Sequence, residues 1–467
     1  MGHDQPIRAD DALHPVRRLR RESLGRSGLA LPGWEAAPPP IPQPPAPRQP
    51  APSKKHHPRL WLLVGVAILL LGSGTWSALA VPHPSSPGSG AASSTHLPAL
   101  PRQSSAVPAQ ATGSAVGDLH MFSQSTGWAQ RVADGALLHT TQGVLRWTLA
   151  SPPTSAEIVA VAYVDGDTAR ALTAPTGPPG PTAVQSWATD NGGASWSAGG
   201  SFAVRGFASG LTGGLDFVDP EHGWYSQIEN GPGLTGTALF RTADGGAHWS
   251  QVAATGPTGS QWPGGSGVIP TGCDELIATF ISTTTGWITG SCPSGPPPFY
   301  RTDDGGVTWG NQDLAAASGS PYSQTTFPPS FSSAKDGTML TEQVGDAAIA
   351  TSVYATLDGG ELWSLVYTGA GTPLGSDFSG RVDGWMVLAS AYPDAAAPDL
   401  YSSRDGGSTW TPIAAFPYMG MDLDFISSQL GWAAPDLSQV GGGPTYLLQT
   451  SDGGLSWTGL SPQPAVP

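Results

Sequence analysis

A box of the form Ser/Thr-x-Asp-x-Gly-x-x-Trp recurs along this chain as TADGGAHW (242–249), TDDGGVTW (302–309), TLDGGELW (356–363), SRDGGSTW (403–410) and TSDGGLSW (450–457). Its Asp position is filled by Asp244, Asp304, Asp358, Asp405 and Asp452, and by Asn191 in TDNGGASW (189–196). TTQGVLRW (140–147) keeps only Thr140 and Trp147 of the pattern. The closing residues Trp147, Trp196, Trp249, Trp309, Trp363, Trp410 and Trp457 are spaced by 49, 53, 60, 54, 47 and 47. A repeat of this period marks a chain assembled from like supersecondary units, each too small to bury a core alone. The boxes number these units one to seven.

Within a unit the hydrophobic pattern reads as four short strands, A to D. An alternating run such as LDFVD (215–219) or LDFIS (423–427) is followed by a Gly-Trp strand, at Gly127-Trp128, Gly223-Trp224, Gly286-Trp287, Gly384-Trp385 and Gly431-Trp432. An apolar strand then runs into the box (ALFRT, PFYRT, TYLLQT), and the box Trp opens the last strand. Alternation of period two between turn residues is a strand signal. The 63 Gly and 47 Pro weigh against long helices, while 17 Trp require a folded core. The expected fold is all-β: one seven-bladed β-propeller of four-stranded blades over 117–460, with a tail at 461–467.

The remainder reads differently. Residues 1–59 hold ten Lys and Arg against five acids, and nine Pro in the fifteen residues 38–52, a composition for extended polyproline II and no core. This arm is either a solvated spacer or a docking segment for a cytoplasmic, proline-reading partner. Residues 60–81 carry no charge, and at 1.5 Å per residue they form a helix long enough to span a bilayer. Lys54, Lys55 and Arg59 precede this stretch, so the expected placement is a single-pass cell-membrane protein with its N-terminus in the cytoplasm and the propeller outside. The rival reading is a signal peptide cleaved after Ala80, because Ala78-Leu79-Ala80 has the small-x-small form. Residues 82–116 read as a flexible stalk.

In each box, the Asp and the Ser/Thr can accept turn N–H groups, Gly supplies a conformation forbidden to other side chains, and Trp covers the hairpin base. These are structural tasks. Calcium ligation is the competing idea, but the acids fall in separate units and cannot converge on one ion. No metal or other cofactor is expected.

Antiparallel order puts the boxes and the short A–B turns at one end of every unit and the long connections at the other. Long loops on a rigid scaffold are where recognition usually resides. The candidate binding face therefore comprises Glu229, Asn230, Trp262, Asp274, Tyr392, Asp394, Asp399 and Asp436, with solvated loops as the plain alternative. These connections contain no Lys, Arg or His, which suits protein or neutral glycan and excludes nucleic acid. The only cysteines, Cys273 and Cys292, lie where strand A of the fourth unit begins and strand B ends, so a disulfide across that hairpin is expected.

On its boxes and Gly-Trp strands the chain resembles the Asp-box (BNR) repeat propellers, and most of all the photosystem II assembly and stability factor family. That resemblance implies a propeller that attends an assembling membrane protein. The same box also occurs in sialidases and glucan hydrolases. A sialidase needs an arginine triad that the propeller's few Arg do not supply on one face. Two loop carboxylates, from among Asp274, Glu275, Asp394 and Asp399, would suffice for a glycoside hydrolase. The expectation is a binding or assembly module without catalysis, with the glycosidase as the alternative.

Overall fold

The structure, a computed structural model, describes residues 115–463 apart from 176–179, 207–211, 232–233, 256–266, 270–272, 293–297, 316–322, 346–348, 390–397, 417–420 and 436–446. The arm, the apolar stretch 60–81 and the stalk before residue 115 lie outside the described residues. Among those described, every element is a strand, and no helix is long and apolar enough to cross a membrane.

The strands form six sheets, four of them four-stranded antiparallel meanders in chain order. The first is typical: Val116–Met121, Gly127–Arg131, Leu137–Thr140 and Thr148–Leu149, each paired to the next. In the third unit a short strand, Gly267–Val268, adds in parallel to Ser250–Ala254 and covers the outer edge. The fourth and fifth units are fused in a nine-stranded sheet. There Ser323–Thr326 pairs with Gly337–Val344 of its own unit and also, through Gln324 and Thr325, with Cys292 and Ser291 of the unit before. Pro328 and Pro329 follow this strand, and pairing resumes only at Ser330–Phe331.

Period-two alternation sends the two faces of each meander toward different neighbours, and the core lies between sheets. Trp224, Leu239 and Ala253 of the third unit pack on Leu276, Ala278, Phe280 and Ile288 of the fourth. Trp432, Ala434 and Leu447 of the last unit pack on Val116, Leu119, Met121, Val144 and Trp147 of the first, closing a ring. Sheets packed face to face around a closed ring are a β-propeller.

The disulfide joins Cys273 and Cys292, with a Cα separation of 4.3 Å, at the positions expected from the hairpin. It braces the strand end on which the next unit's first strand is stitched.

Candidate functional site

The box is a self-contained turn. In the fourth, Asp304 Oδ1 accepts the Thr308 N–H at 2.9 Å and the Thr302 hydroxyl at 2.8 Å, while Thr302 Oγ1 accepts the Gly306 N–H at 3.0 Å. Gly305 and Gly306 hold φ of 76° and 95°, which is why glycine is demanded there. Trp309 donates its indole N–H back to the Gly306 carbonyl at 3.0 Å. The third, fifth, sixth and seventh boxes repeat the acid's bonds. Desolvation pushes the carboxyls of Asp244, Asp304, Asp405 and Asp452 up, but turn hydrogen bonds outweigh it and hold them below the ordinary 3.8. Asp358 is held low chiefly by the Leu362 N–H. These acids remain ionised, and all of them are occupied by their own turns.

The fully buried tryptophans are those of the Gly-Trp strands: Trp128, Trp224, Trp287, Trp385 and Trp432. They reach across to the next unit. Trp224 donates to the Gly305 carbonyl of the fourth box at 3.0 Å, and Trp385 to the Gly453 carbonyl of the seventh at 2.8 Å. Arg241 and Arg404 lie over the same two rings. The second unit has Arg170 at this place; it is buried and bonds the Pro220 and Thr189 carbonyls and Asp190. A box is thus also the acceptor that couples one unit to its predecessor, a role its residue types do not announce.

A second set of residues escaped the sequence reading. Asp216, Asp377 and Asp424 precede the aromatic residue of strand A in their units, and each accepts a backbone N–H from the next unit's strand A. Asp216 takes Phe280 at 2.6 Å, Asp377 takes Phe425, and Asp424 takes Met121 at 2.7 Å. Burial pushes Asp216 and Asp377 up to about 6. Burial and then the negative charge of Asp377 push Asp424 up to about 8. The available signal was the recurring Asp-Phe pair at 216–217, 377–378 and 424–425.

Of the candidate binding face, Glu229, Asn230, Asp274 and Asp399 fall on strand ends opposite the boxes. Glu229 and Asn230 are paired with Gly236 and Thr235 in a tall hairpin, Gly223–Gly231 with Leu234–Thr242, where the sequence predicts one of the long connections. Nine residue pairs make it a two-stranded antiparallel arm. Asp274 opens strand A of the fourth unit against Ser291, and Asp399 opens strand C of the sixth against Leu388. Trp262, Tyr392, Asp394 and Asp436 lie outside the described residues. Among the described residues no group of His, Cys, Asp or Glu is placed to hold a metal ion.

The ring of sheets and the inter-unit bonds define a β-propeller that resembles YCF48 and other propeller proteins. Its similar solved structures include YCF48 bound to a D1 peptide, at 17% identity over 73% of this chain and 93% of that one, with a TM-score of 0.45. YCF48 from Cyanidioschyzon merolae is 14% identical over 74% of this chain and 97% of that one, with a TM-score of 0.44. An α-L-arabinanase from Penicillium chrysogenum is 12% identical over 64% of this chain and 95% of that one, with a TM-score of 0.34. No protein-family model and no curated protein matches the chain.

Proposed function

We propose that this chain is a membrane-anchored binding and assembly module, a propeller of seven blades whose ligand is a polypeptide or a neutral glycan and whose action is not catalytic. Residues 60–81 supply the anchor and leave the propeller outside the cell. Seven boxes and seven sets of antiparallel strands, the two in the fused sheet counted separately, support the blade number.

The observation that carries the binding reading is the build of the end opposite the boxes. The hairpin of Gly223–Gly231 and Leu234–Thr242 stands beside a neighbouring arm of Gly180–Thr189 and Ser197–Gly206, so recognition groups are mounted on paired strands. Rigid mounting lowers the ordering cost of association.

A glycoside hydrolase is the second reading, and one observation favours it. Asp377 and Asp424 lie on adjoining inner strands, and burial, with the negative charge of the first added to it, raises the second, the pattern by which carboxyl pairs divide acid and base roles. Both carboxyls, however, are already bonded to backbone N–H groups.

Charge reversal of Asp394 and Asp399, or Trp262→Ala, is expected to weaken ligand capture by the full-length protein and leave its Tm unchanged. Release of reducing sugar from a glycan panel, abolished by neutralising one carboxylate with binding spared, would replace this reading with the glycosidase.

A further inference from the structure

The box end of the propeller carries an apolar groove of its own. A cavity of about 510 Å³ opens between the fifth and sixth units, lined by Leu357, Leu362 and Val366 on one side and Phe378 and Val382 on the other. Leu357, Leu362 and Val382 are 62%, 74% and 46% exposed, three of only seven large apolar side chains exposed among the described residues.

The other units act as internal controls, because the same backbone hydrogen bonds fix equivalent positions. The residue whose carbonyl receives the first box glycine's N–H is Val382 in the sixth unit and Ser125, Asp167, Glu221, Thr284, Lys335 and Gln429 in the others. The residue before the box Trp is Leu362 here, and Arg146, Ser195, His248, Thr308, Thr409 and Ser456 elsewhere. His248, Thr308, Thr409 and Ser456 use that position to bond the second oxygen of their box acid with a side chain. Leu362 cannot. Leu357 takes a place occupied by Thr141, Asp190, Ala243, Asp303, Arg404 and Ser451 in the other boxes. Substituting leucine here forfeits a turn bond and exposes hydrocarbon to water, a local loss that a folded monomer has no reason to favour.

Charge limits the occupant. Asp336, Asp358 and Asp405 line the groove against the single cation Arg381, which stands 3.9 Å from Asp336. A second copy of the chain or an anionic lipid surface would bring like charge to this rim. We infer that the groove between the fifth and sixth units docks an extended segment of a partner protein that carries apolar side chains beside lysine or arginine. This site lies at the opposite end from the face invoked for the main ligand, and the two are independent.

The test uses the full-length protein and a short fluorescein-labelled peptide alternating leucine and lysine, followed by anisotropy. The triple variant Leu357→Ser, Leu362→Thr, Val382→Thr copies residue types that other units already carry at these positions, so its Tm should equal or exceed that of the parent. The parent should bind the peptide, and the variant should lose at least about tenfold in affinity. Asp336→Asn should weaken binding by a smaller factor. Glu157→Gln, on an exposed strand end of the second unit, should leave it unchanged. The proposal is overturned if the triple variant binds as the parent does, if the parent ignores the peptide, or if a leucine–glutamate peptide binds equally well. Concentration-dependent self-association abolished by the same variant, or capture of the parent by anionic vesicles, would assign the groove to those occupants instead.

Discussion

A carboxyl oxygen of Asp424 accepts the backbone N–H of Met121 at 2.7 Å, joining residues 303 positions apart and tying the last unit's inner strand to the first. The apolar cluster of Trp432 with Val144 and Trp147 closes the same seam from outside. A propeller that closes without exchanging a strand between its ends depends on such side-chain bonds, because among the described residues no continuous ladder crosses the gap.

The raised carboxyls make this seam and two other junctions between units pH-dependent. Asp424 near 8, with Asp216 and Asp377 near 6, all lie above the ordinary 3.8. The folded state therefore holds protons that the unfolded chain releases once the pH passes 3.8. Stability from these groups is greatest at the acid end and falls as pH rises through the folded values. Melting followed from about pH 5 to about pH 9 should show Tm declining, with Asp424→Asn flattening the alkaline part of the decline. An unchanged slope in the variant would assign the loss to other groups.

Trp385 is fully buried and bonded to the next box, whereas Trp309 is half-buried at its own turn. Trp385→Ala should cost about 3–5 kcal/mol in urea unfolding, as a large-to-small core change. Trp309→Ala should cost less. Trp385→Phe, which keeps the ring but leaves the Gly453 carbonyl without its donor, should cost about 1 kcal/mol beyond any packing loss.

The first box lacks its acid, and the last unit is affected. With Gln142 at the Asp position, the Thr140 hydroxyl donates instead to the Gly143 carbonyl at 2.9 Å. That carbonyl is the counterpart of the Gly305 and Gly453 groups that receive indoles, and the buried Trp432 N–H has no partner among the described residues. Gln142→Asp should return the Thr140 hydroxyl to the acid, free the carbonyl for Trp432 and stabilise the protein by about 0.5–1.5 kcal/mol. A paired Trp432→Phe variant should erase most of that gain.

The bridge from Cys273 to Cys292 spans 19 positions. Chain-entropy reasoning gives it about 3 kcal/mol for a loop of this order. Cys273→Ser with Cys292→Ser should lower the urea midpoint accordingly. Hydrogen exchange should quicken first at Gln324 and Thr325, whose strand is stitched to Ser291 and Cys292.

Much of this was legible in the residues, for particular reasons. The box spelled out its own turn because every bond of Asp304 is local, made within four residues. The Gly-Trp strands and the cysteine pair were readable because strand pairing within a hairpin follows from spacing alone. The tall arm of Glu229 and Asn230 is not legible in its sequence, because the Gly- and Pro-containing ENGPGLTG is turn-like, while the register of the strands beneath it extends the pairing.

The sequence by itself determined the all-β class, the repeat, the turn chemistry and the disulfide, since each rests on contacts between residues near one another in the chain. Only the tertiary structure decided that Asp424 meets Met121, that Trp224 and Trp385 dock on the following box, and that Leu357 and Leu362 of the fifth unit face Val382 of the sixth across one groove. Those relationships arise when successive sheets pack face to face, and no local period encodes which side chain one sheet presents to the next.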